Sequence, residues 1–175
     1  RAPGRGGAVR FRLVGDVDHM RLARLVEMRQ AAHDARASAG GDARIARDQA
    51  GANGVEIRAW GDVELESGAI LVDAMLGTGL GGDVRGAYKD AIEAINASGN
   101  PVLAVDIPSG LCSDSGRVLG VATRADLTVT FIGLKRGLFT GEAGDYTGAV
   151  SFTDLAVPAE IYNEIQTDCS RLELE

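Results

Sequence analysis

The chain has 175 residues, 45% of them hydrophobic, which suits one domain with a substantial core and excludes wholesale disorder. A net charge of −7 argues against non-specific attraction to nucleic acid or to anionic membranes, so we expect neither as a partner. No run approaches the ~20 apolar residues that cross a bilayer. The two cysteines form no paired motif, so we expect a reduced cytoplasmic protein.

The first third of the chain has the least regular pattern. Residues 9–14 alternate apolar and polar side chains, which predicts a strand, and residues 19–37 have helical spacing. A second helix is predicted over about 42–49, followed by a short strand at 55–58. Two helices between neighbouring strands are unusual in a compact βαβ unit. We therefore expect an insertion or an atypical stretch over residues 17–41.

The rest of the chain alternates predicted strands with a helix. A helix over 86–98 has one apolar face, and Gly99 is a suitable residue to end it. This alternation favours an α/β, Rossmann-like three-layer fold with a mostly parallel central sheet flanked by helices. We expect a single domain over residues 1–175, with a charged tail over 167–175 that frays or serves as a linker. The predicted strands are residues 69–73, 102–106, 127–132 and 149–152.

Two of these strands each end in an aspartate that is followed by a glycine-bearing loop. Asp73 precedes the glycine-rich residues 77–83, and Asp106 precedes Pro108-Ser109-Gly110. In open α/β sheets ligands bind just outside the carboxyl ends of the strands, so this pair predicts an active-site rim. Two carboxylates with nearby hydroxyl and carbonyl oxygens suit either a hard cation or a general acid/base pair.

Each signal at this rim also has a purely structural interpretation. The glycines of 77–83 let backbone amides approach a phosphate, but a tight turn requires glycine as well. A buried carboxylate needs a partner, so Asp73 either binds a cation or forms hydrogen bonds that brace a loop. Lys135 and Arg136 follow the third strand. A cation there could hold a phosphate or assist proton transfer. The structural interpretation is a solvated turn, where basic side chains are common. The individual motifs are therefore of low specificity.

Four motifs, in order and at natural spacing, are specific together. They resemble the NAD(P)H-hydrate epimerase family, the YjeF N-terminal domain, over about residues 71–162. The motifs are Val-Asp-Ala-Met-Leu-Gly-Thr-Gly-Leu at 72–80, Ala-Val-Asp-Ile-Pro-Ser-Gly-Leu at 104–111, Ala-Asp-Leu-Thr-Val-Thr-Phe-Ile-Gly-Leu-Lys-Arg-Gly-Leu at 125–138 and Gly-Glu-Ala-Gly-Asp-Tyr-Thr-Gly at 141–148.

The resemblance implies an isomerase that interconverts the R and S forms of hydrated NADH and NADPH, called NAD(P)HX, during nicotinamide cofactor repair. It implies one potassium ion per subunit, held by Asp73 and Ser109. Asp106 would act as acid and base at the reacting carbon, with Lys135 as an electrostatic aid. The implied substrate-binding residues are Gly77, Thr78, Gly79, Leu80, Gly81, Gly82, Asp83 and Asp106.

The resemblance also implies partners and leaves alternatives open. We expect a homodimer, and an ADP- or ATP-dependent NAD(P)H-hydrate dehydratase that in some proteins is fused after this domain. The family's Asn-Asn-Gly-Gly-Asp-Gly loop is not found in the sequence, so we expect a fragment that is incomplete at its N-terminus. The alternatives are a non-catalytic fragment, a binding or scaffold module of the same fold, the N-terminal part of a bifunctional epimerase and dehydratase, and a phosphate-sugar or nucleotide enzyme of similar fold.

Overall fold

The computed structural model describes residues 42–58, 60–62, 64–167 and 169–170. The predicted strand at 9–14, the predicted helix at 19–37 and the atypical segment at 17–41 lie outside these residues.

The first described helix is α1, Asp42–Ala52, which confirms the helix predicted to begin at Asp42. The strand predicted at 55–58 is wrong. Its side chains do alternate between half-buried and exposed, but the segment joins no ladder within the described residues. Instead, the Val55 amide donates to the carbonyl of Ala50 at 3.0 Å and closes the end of α1.

Within the described residues, four strands form one sheet in which every pair of neighbours is parallel, and their spatial order equals their chain order. All four were predicted, and the structure moves their ends by only one or two residues. The sheet confirms an α/β, Rossmann-like architecture. The strands are β1 (Leu71–Asp73), β2 (Val102–Val105), β3 (Leu127–Phe131) and β4 (Ala149–Thr153).

Helix α2, Gly86–Ser98, connects β1 to β2 and buries the apolar face that the sequence predicted. Ala91 and Ile92 are fully buried, and Ile95 is nearly so. Gly99 ends the helix in the left-handed region at φ 70°, where a side chain would be strained. This crossover is therefore encoded locally, by an apolar stripe and a glycine stop.

The later connections differ from a regular alternation of strands and helices. Residues 106–126 connect β2 to β3 without a helix, and contain an antiparallel bridge between Leu111 and Val118. Two short 3₁₀ turns, Arg136–Leu138 and Ala143–Asp145, lie between β3 and β4. These loops are not loosely exposed, because they supply a core cluster of Ile107, Leu111, Ala122, Leu138 and Ala143.

The short helix α3, Ala159–Asn163, follows β4. None of the helices in the described part of the chain has the length and apolar character required to span a membrane. Because all four strands are parallel, their carboxyl ends lie at one edge of the sheet. Asp73 ends β1 at that edge, and Asp106 and the turn before Lys135 follow the two adjacent strands β2 and β3.

Candidate active site at the carboxyl edge of the sheet

Asp73 and Ser109 form a buried polar pair across the ends of β1 and β2. Both residues are 0% exposed. The Ser109 backbone amide donates to Asp73 Oδ2 at 2.7 Å, and the Ser109 hydroxyl donates to Oδ1 at 2.5 Å. The Met75 amide adds a longer bond of 3.3 Å to Oδ1, and the Leu76 amide donates to Ser109 Oγ at 2.9 Å. The pair thus braces the start of the glycine-rich loop.

The oxygen donors of this pair fit a hard cation. Asp73 is a fully buried carboxylate, and no basic side chain of the described ranges forms an ion pair with it. Neutral groups therefore supply all of the hydrogen bonds that this side chain forms within the described residues. Within those same ranges there is no cluster of three or more His, Cys, Asp or Glu side chains that could hold a metal ion. A cation here would rely on one carboxylate, a hydroxyl and backbone carbonyls.

The turn that presents Ser109 depends on Gly110. Its φ of 90° lies in the left-handed region, and a Cβ at this position would lie 1.9 Å from the Val121 carbonyl oxygen. No other residue fits there without moving the backbone. Thr123 N–H donates to the Ser109 carbonyl at 2.9 Å and holds the same turn from the other side. Glycine is therefore required to bring Ser109 to Asp73.

Asp106 follows β2 and has a positive φ of 71°, which is uncommon for any residue but glycine and is best tolerated by Asp and Asn. Its carboxylate forms an ion pair with Lys135, and both side chains are 18% exposed. Thr130 Oγ1 also donates to Asp106 Oδ1, at 3.1 Å. The structure thus brings together Asp106 and Lys135, the two predicted catalytic residues.

The two oxygens of Asp106 have different surroundings. The polar contacts of the carboxylate within the described residues all fall on Oδ1, from Lys135, Thr130 and, at 3.5 Å, the Phe131 amide. Oδ2 has no such partner. It is also not one of the fully buried side-chain oxygens that lack a hydrogen bond, so part of its surface is accessible. One carboxylate oxygen is therefore anchored, and the other is open to solvent or ligand.

Lys135 is held as a fixed cation. Its ammonium donates to Asp106 Oδ1, to Thr130 Oγ1 at 3.3 Å and to the Phe131 carbonyl at 2.9 Å. These contacts use all three of its N–H groups. The same nitrogen lies 5.2 Å from the centroid of the Phe131 ring. The interpretation of Lys135 as a solvated turn residue is therefore wrong.

The glycines of the loop at residues 77–83 are not explained by packing. A Cβ at any of them would meet nothing within 4 Å, and none of them has a positive φ. The Leu80 amide donates to the Gly77 carbonyl at 3.3 Å and closes a turn, but neither packing nor a positive φ requires glycine in it, so close approach of a ligand to the backbone stays a prediction. Thr78 and Asp83 are exposed, and Leu80 is half-buried. The glycines concerned are Gly77, Gly79, Gly81 and Gly82.

Two features of this edge are not evident in the sequence pattern. Ile132 was predicted to continue a buried strand, but it lies beyond β3, is 47% exposed and has φ 66°. A β-branched residue in the left-handed region is strained, and such strain often occurs at functional sites. Thr130 was predicted only as a strand residue, although it contacts both Asp106 and Lys135. The repeated threonines of β3 are the only sequence signal for it.

A hairpin next to the glycine-rich loop contains Cys112, which is half-buried. A hydrogen bond from the Ser115 side chain, with further backbone bonds at Asp114 and Ser115, lowers the pKa of the Cys112 thiol. Ser113 Oγ donates to the Thr78 carbonyl at 3.4 Å and links the hairpin to the loop. The thiol therefore ionises more readily than a free cysteine and lies beside the site rather than in it.

A groove of about 370 Å³ lies elsewhere on the surface, where α2 meets the connection between β2 and β3. Its walls include Asn96, Arg124 and Tyr146, and the Arg124 guanidinium lies 5.6 Å from the Tyr146 ring centroid. Asp73, Asp106 and Lys135 do not line this groove. The polar chemistry of the sheet edge, and not this groove, therefore defines the candidate site.

The comparisons with known proteins agree with the motifs. The model of the family described as YjeF-related protein N-terminus matches residues 24–137, a range that begins within the 17–41 segment. An NAD(P)H-hydrate epimerase of Pirellula staleyi is 50% identical over 95 residues, which is 54% of this chain and 42% of the relative. The bifunctional NAD(P)H-hydrate repair enzyme Nnr of Coxiella burnetii is 46% identical over 109 residues, 62% of this chain and 22% of that enzyme.

The bifunctional repair enzyme Nnr of Escherichia coli K12 is 43% identical over 116 residues, 66% of this chain. The chain spans only 22% of that relative, and it likewise covers well under two thirds of the length of the other curated relatives described above. The similarity therefore concerns one part of proteins that are considerably longer.

Proposed function

The chain belongs to the family of YjeF-related protein N-termini, and from this premise we propose that it epimerises NAD(P)HX, the hydrated forms of NADH and NADPH. One observation carries the proposal: Asp106 is anchored through Oδ1 to a fixed ammonium, while its Oδ2 remains open. A glycine-rich loop follows the neighbouring strand. The names of the relatives, which include NAD(P)H-hydrate epimerase, support the same activity.

Epimerisation at the hydrated carbon requires proton transfer but no oxidant. The electron pair of the ring nitrogen forms a C=N bond as the C6–O bond breaks, and a proton that solvent supplies to the open Oδ2 of the Asp106 carboxylate passes to the departing hydroxyl. Water then adds to the planar iminium from the other face and returns a proton to Oδ2, so atoms and charge balance. Lys135 stabilises the carboxylate that exists between the two steps.

The glycine-rich loop would hold the dinucleotide. Its glycines let backbone amides approach phosphate oxygens without steric conflict, and α2 begins only three residues after the loop. We assign substrate contact to residues 77–83, because neither a packing contact nor a positive φ accounts for their glycines. Asp106 lies beyond the adjacent strand and would face the reacting ring.

We further assign a potassium ion to Asp73 and Ser109. The support is a fully buried carboxylate without an ionic partner in the described ranges, beside a buried hydroxyl. When bound, potassium would supply positive charge near the substrate phosphates. Asp73 would hold the ion in place, because the Ser109 amide fixes the position of the Asp73 carboxylate. Melting in potassium chloride, compared with choline chloride of equal ionic strength, tests this assignment in wild type and in Asp73→Asn.

An epimerase of this kind serves a partner that uses only one of the two hydrates. We propose an ADP- or ATP-dependent dehydratase as that partner, in line with relatives that are named bifunctional repair enzymes. A homodimer in the cytoplasm is part of the same proposal. Size-exclusion chromatography with light scattering tests the oligomeric state directly.

The decisive experiment follows one purified hydrate of NADH. The chain is incubated with the R form, and the S form is separated by chromatography and quantified over time. A sample without protein gives the spontaneous rate, which must be subtracted because the hydrated carbon also exchanges in water. We expect interconversion above that rate, and a fall of roughly 100- to 10,000-fold in Asp106→Asn.

Asp106→Asn is the suitable variant because asparagine also tolerates the positive φ at this position. Its fold should remain intact, which circular dichroism checks. Unchanged turnover in this variant would contradict the role of Asp106. No turnover by the wild-type chain would favour the non-catalytic fragment or the scaffold module.

A further inference from the structure

The hydroxyl of Thr130 lies buried between the two charged side chains of the site. Thr130 belongs to β3 and is 0% exposed. Its Oγ1 is 3.1 Å from Asp106 Oδ1 and 3.3 Å from Lys135 Nζ. We infer that Thr130 is a positioning residue for epimerisation, which holds Asp106 so that Oδ2 faces the substrate. This inference rests on the proposed function.

The chemistry of the three groups fixes the direction of both hydrogen bonds. A hydroxyl has one proton to donate and two lone pairs that accept. The Asp106 carboxylate only accepts, and the Lys135 ammonium only donates. Thr130 Oγ1 therefore donates to Asp106 and accepts from Lys135. Its single hydroxyl connects the anion to the cation and orients both.

Thr130 is the most rigid of the three groups. Its strand β3 is paired with β2 on one side and with β4 on the other, where Thr130 lies opposite Phe152. A β-branched side chain has restricted χ1 freedom. Lys135, in contrast, reaches the site through a flexible stem of four carbons. The strand therefore supplies a fixed reference point for two side chains that come from loops.

Removal of the hydroxyl should weaken catalysis more than substrate binding. Thr130→Val keeps the shape of the side chain but neither donates nor accepts, so Asp106 Oδ1 keeps only the flexible Lys135 and the distant Phe131 amide and is held less firmly. We expect kcat to fall roughly 10- to 100-fold, as for other misplacements of a reacting group. KM should change less than about threefold, because the glycine-rich loop is untouched. Thr130→Ser retains the hydroxyl and should keep most of the activity.

Thr128 offers a matched control in the same strand. It is also 0% exposed, and its Oγ1 donates to the Thr147 carbonyl at 2.7 Å, away from the ion pair. Thr128→Val loses a buried hydrogen bond and should lower the melting temperature. Its kcat should equal that of the wild type. A comparison of the two valine variants separates positioning from stability.

A double-mutant cycle tests whether Thr130 acts through Asp106. In the Asp106→Asn background, Thr130→Val should cause no further loss of activity, because the group that it positions no longer transfers protons. If the two losses multiply instead, Thr130 has an independent role and the inference is wrong.

The outcomes distinguish this inference from the proposed function. An active wild type together with a Thr130→Val kcat within about twofold of it overturns the role of Thr130 and leaves the epimerase intact. A wild-type chain without activity above the spontaneous rate overturns both. If Thr130→Val does not fold, as judged by circular dichroism, Thr130→Ala takes its place with the same expected loss of kcat.

Discussion

Replacement of Ser109 by alanine should destabilise the fold measurably, because two hydrogen bonds depend on one hydroxyl. Ser109 Oγ donates to Asp73 Oδ1 at 2.5 Å and accepts from the Leu76 amide at 2.9 Å. Asp73 retains the amides of Ser109 and Met75, so its carboxylate is not left without donors. The variant therefore weakens the brace and does not abolish it.

The size of the effect follows from these two contacts. The bond to a charged carboxylate contributes about 2 kcal/mol, and a half-buried Leu76 amide without a partner costs about 1 kcal/mol more. Their sum, about 3 kcal/mol, lowers the melting temperature of a domain of this size by roughly 6–12 °C. Thermal unfolding followed by circular dichroism, in buffer without potassium, measures it.

Ser113→Ala is the control for this measurement. The Ser113 hydroxyl forms one exposed bond of 3.4 Å, to the Thr78 carbonyl. Its loss should change the free energy of unfolding by less than about 0.5 kcal/mol. If Ser109→Ala melts within the range of this control, the two bonds do not brace the sheet edge, and the energetic argument for the Asp73 and Ser109 pair fails.

Three further predictions concern the loops around the site. Gly110→Ala should lower stability by more than about 3 kcal/mol or prevent folding, because its Cβ would lie 1.9 Å from the Val121 carbonyl oxygen at a positive φ. Gly79→Ala should leave the melting temperature unchanged, since its Cβ meets nothing within 4 Å, but it should raise KM for the hydrate. Alkylation of Cys112 by iodoacetamide should reach half its maximal rate at a lower pH than free cysteine, because hydrogen bonds from Ser115 and the backbone lower the pKa of the thiol.

The contribution of the Cys112 thiolate to the free energy of unfolding changes with pH in a definite direction. A lowered pKa means that the unfolded chain binds more protons than the folded one between the two pKa values. The free energy of unfolding therefore rises with pH in that window and loses the contribution as pH falls through the folded pKa. Cys169 is an exposed second thiol, so alkylation is measured in a Cys169→Ser background.

Each of these three predictions has an outcome that contradicts it. Gly110→Ala with a wild-type melting temperature would mean that the backbone adapts freely at the turn. A Gly79→Ala variant with unchanged KM would place the dinucleotide away from the loop. Ser115→Ala should raise the pH midpoint for Cys112, and an unchanged midpoint would exclude that hydroxyl as the main cause.

The sequence predicted the elements whose signals are local. The apolar face of α2 and the left-handed Gly99 follow from helical spacing and from the conformational freedom of glycine. The prediction of a strand at 55–58 was wrong. Alternation of apolar and polar residues predicts a half-buried extended segment, but it does not show whether a neighbouring strand is present to pair with it. The prediction that Ile132 continues the strand was wrong, because a continuous apolar run does not show where the backbone enters the left-handed region.

The sequence by itself determined the residues of the sheet edge, their order and the family, because Asp73, Asp106 and Lys135 lie at the strand ends or shortly after them in the chain. Only the tertiary structure decided their partners. Asp73 meets Ser109 across 36 positions of chain, and Lys135 meets Asp106 across 29. Such contacts depend on the register of parallel strands, which is set by the whole sheet and not by local pattern. For the same reason Thr130, an ordinary strand residue in the sequence, lies between the two charges in the fold.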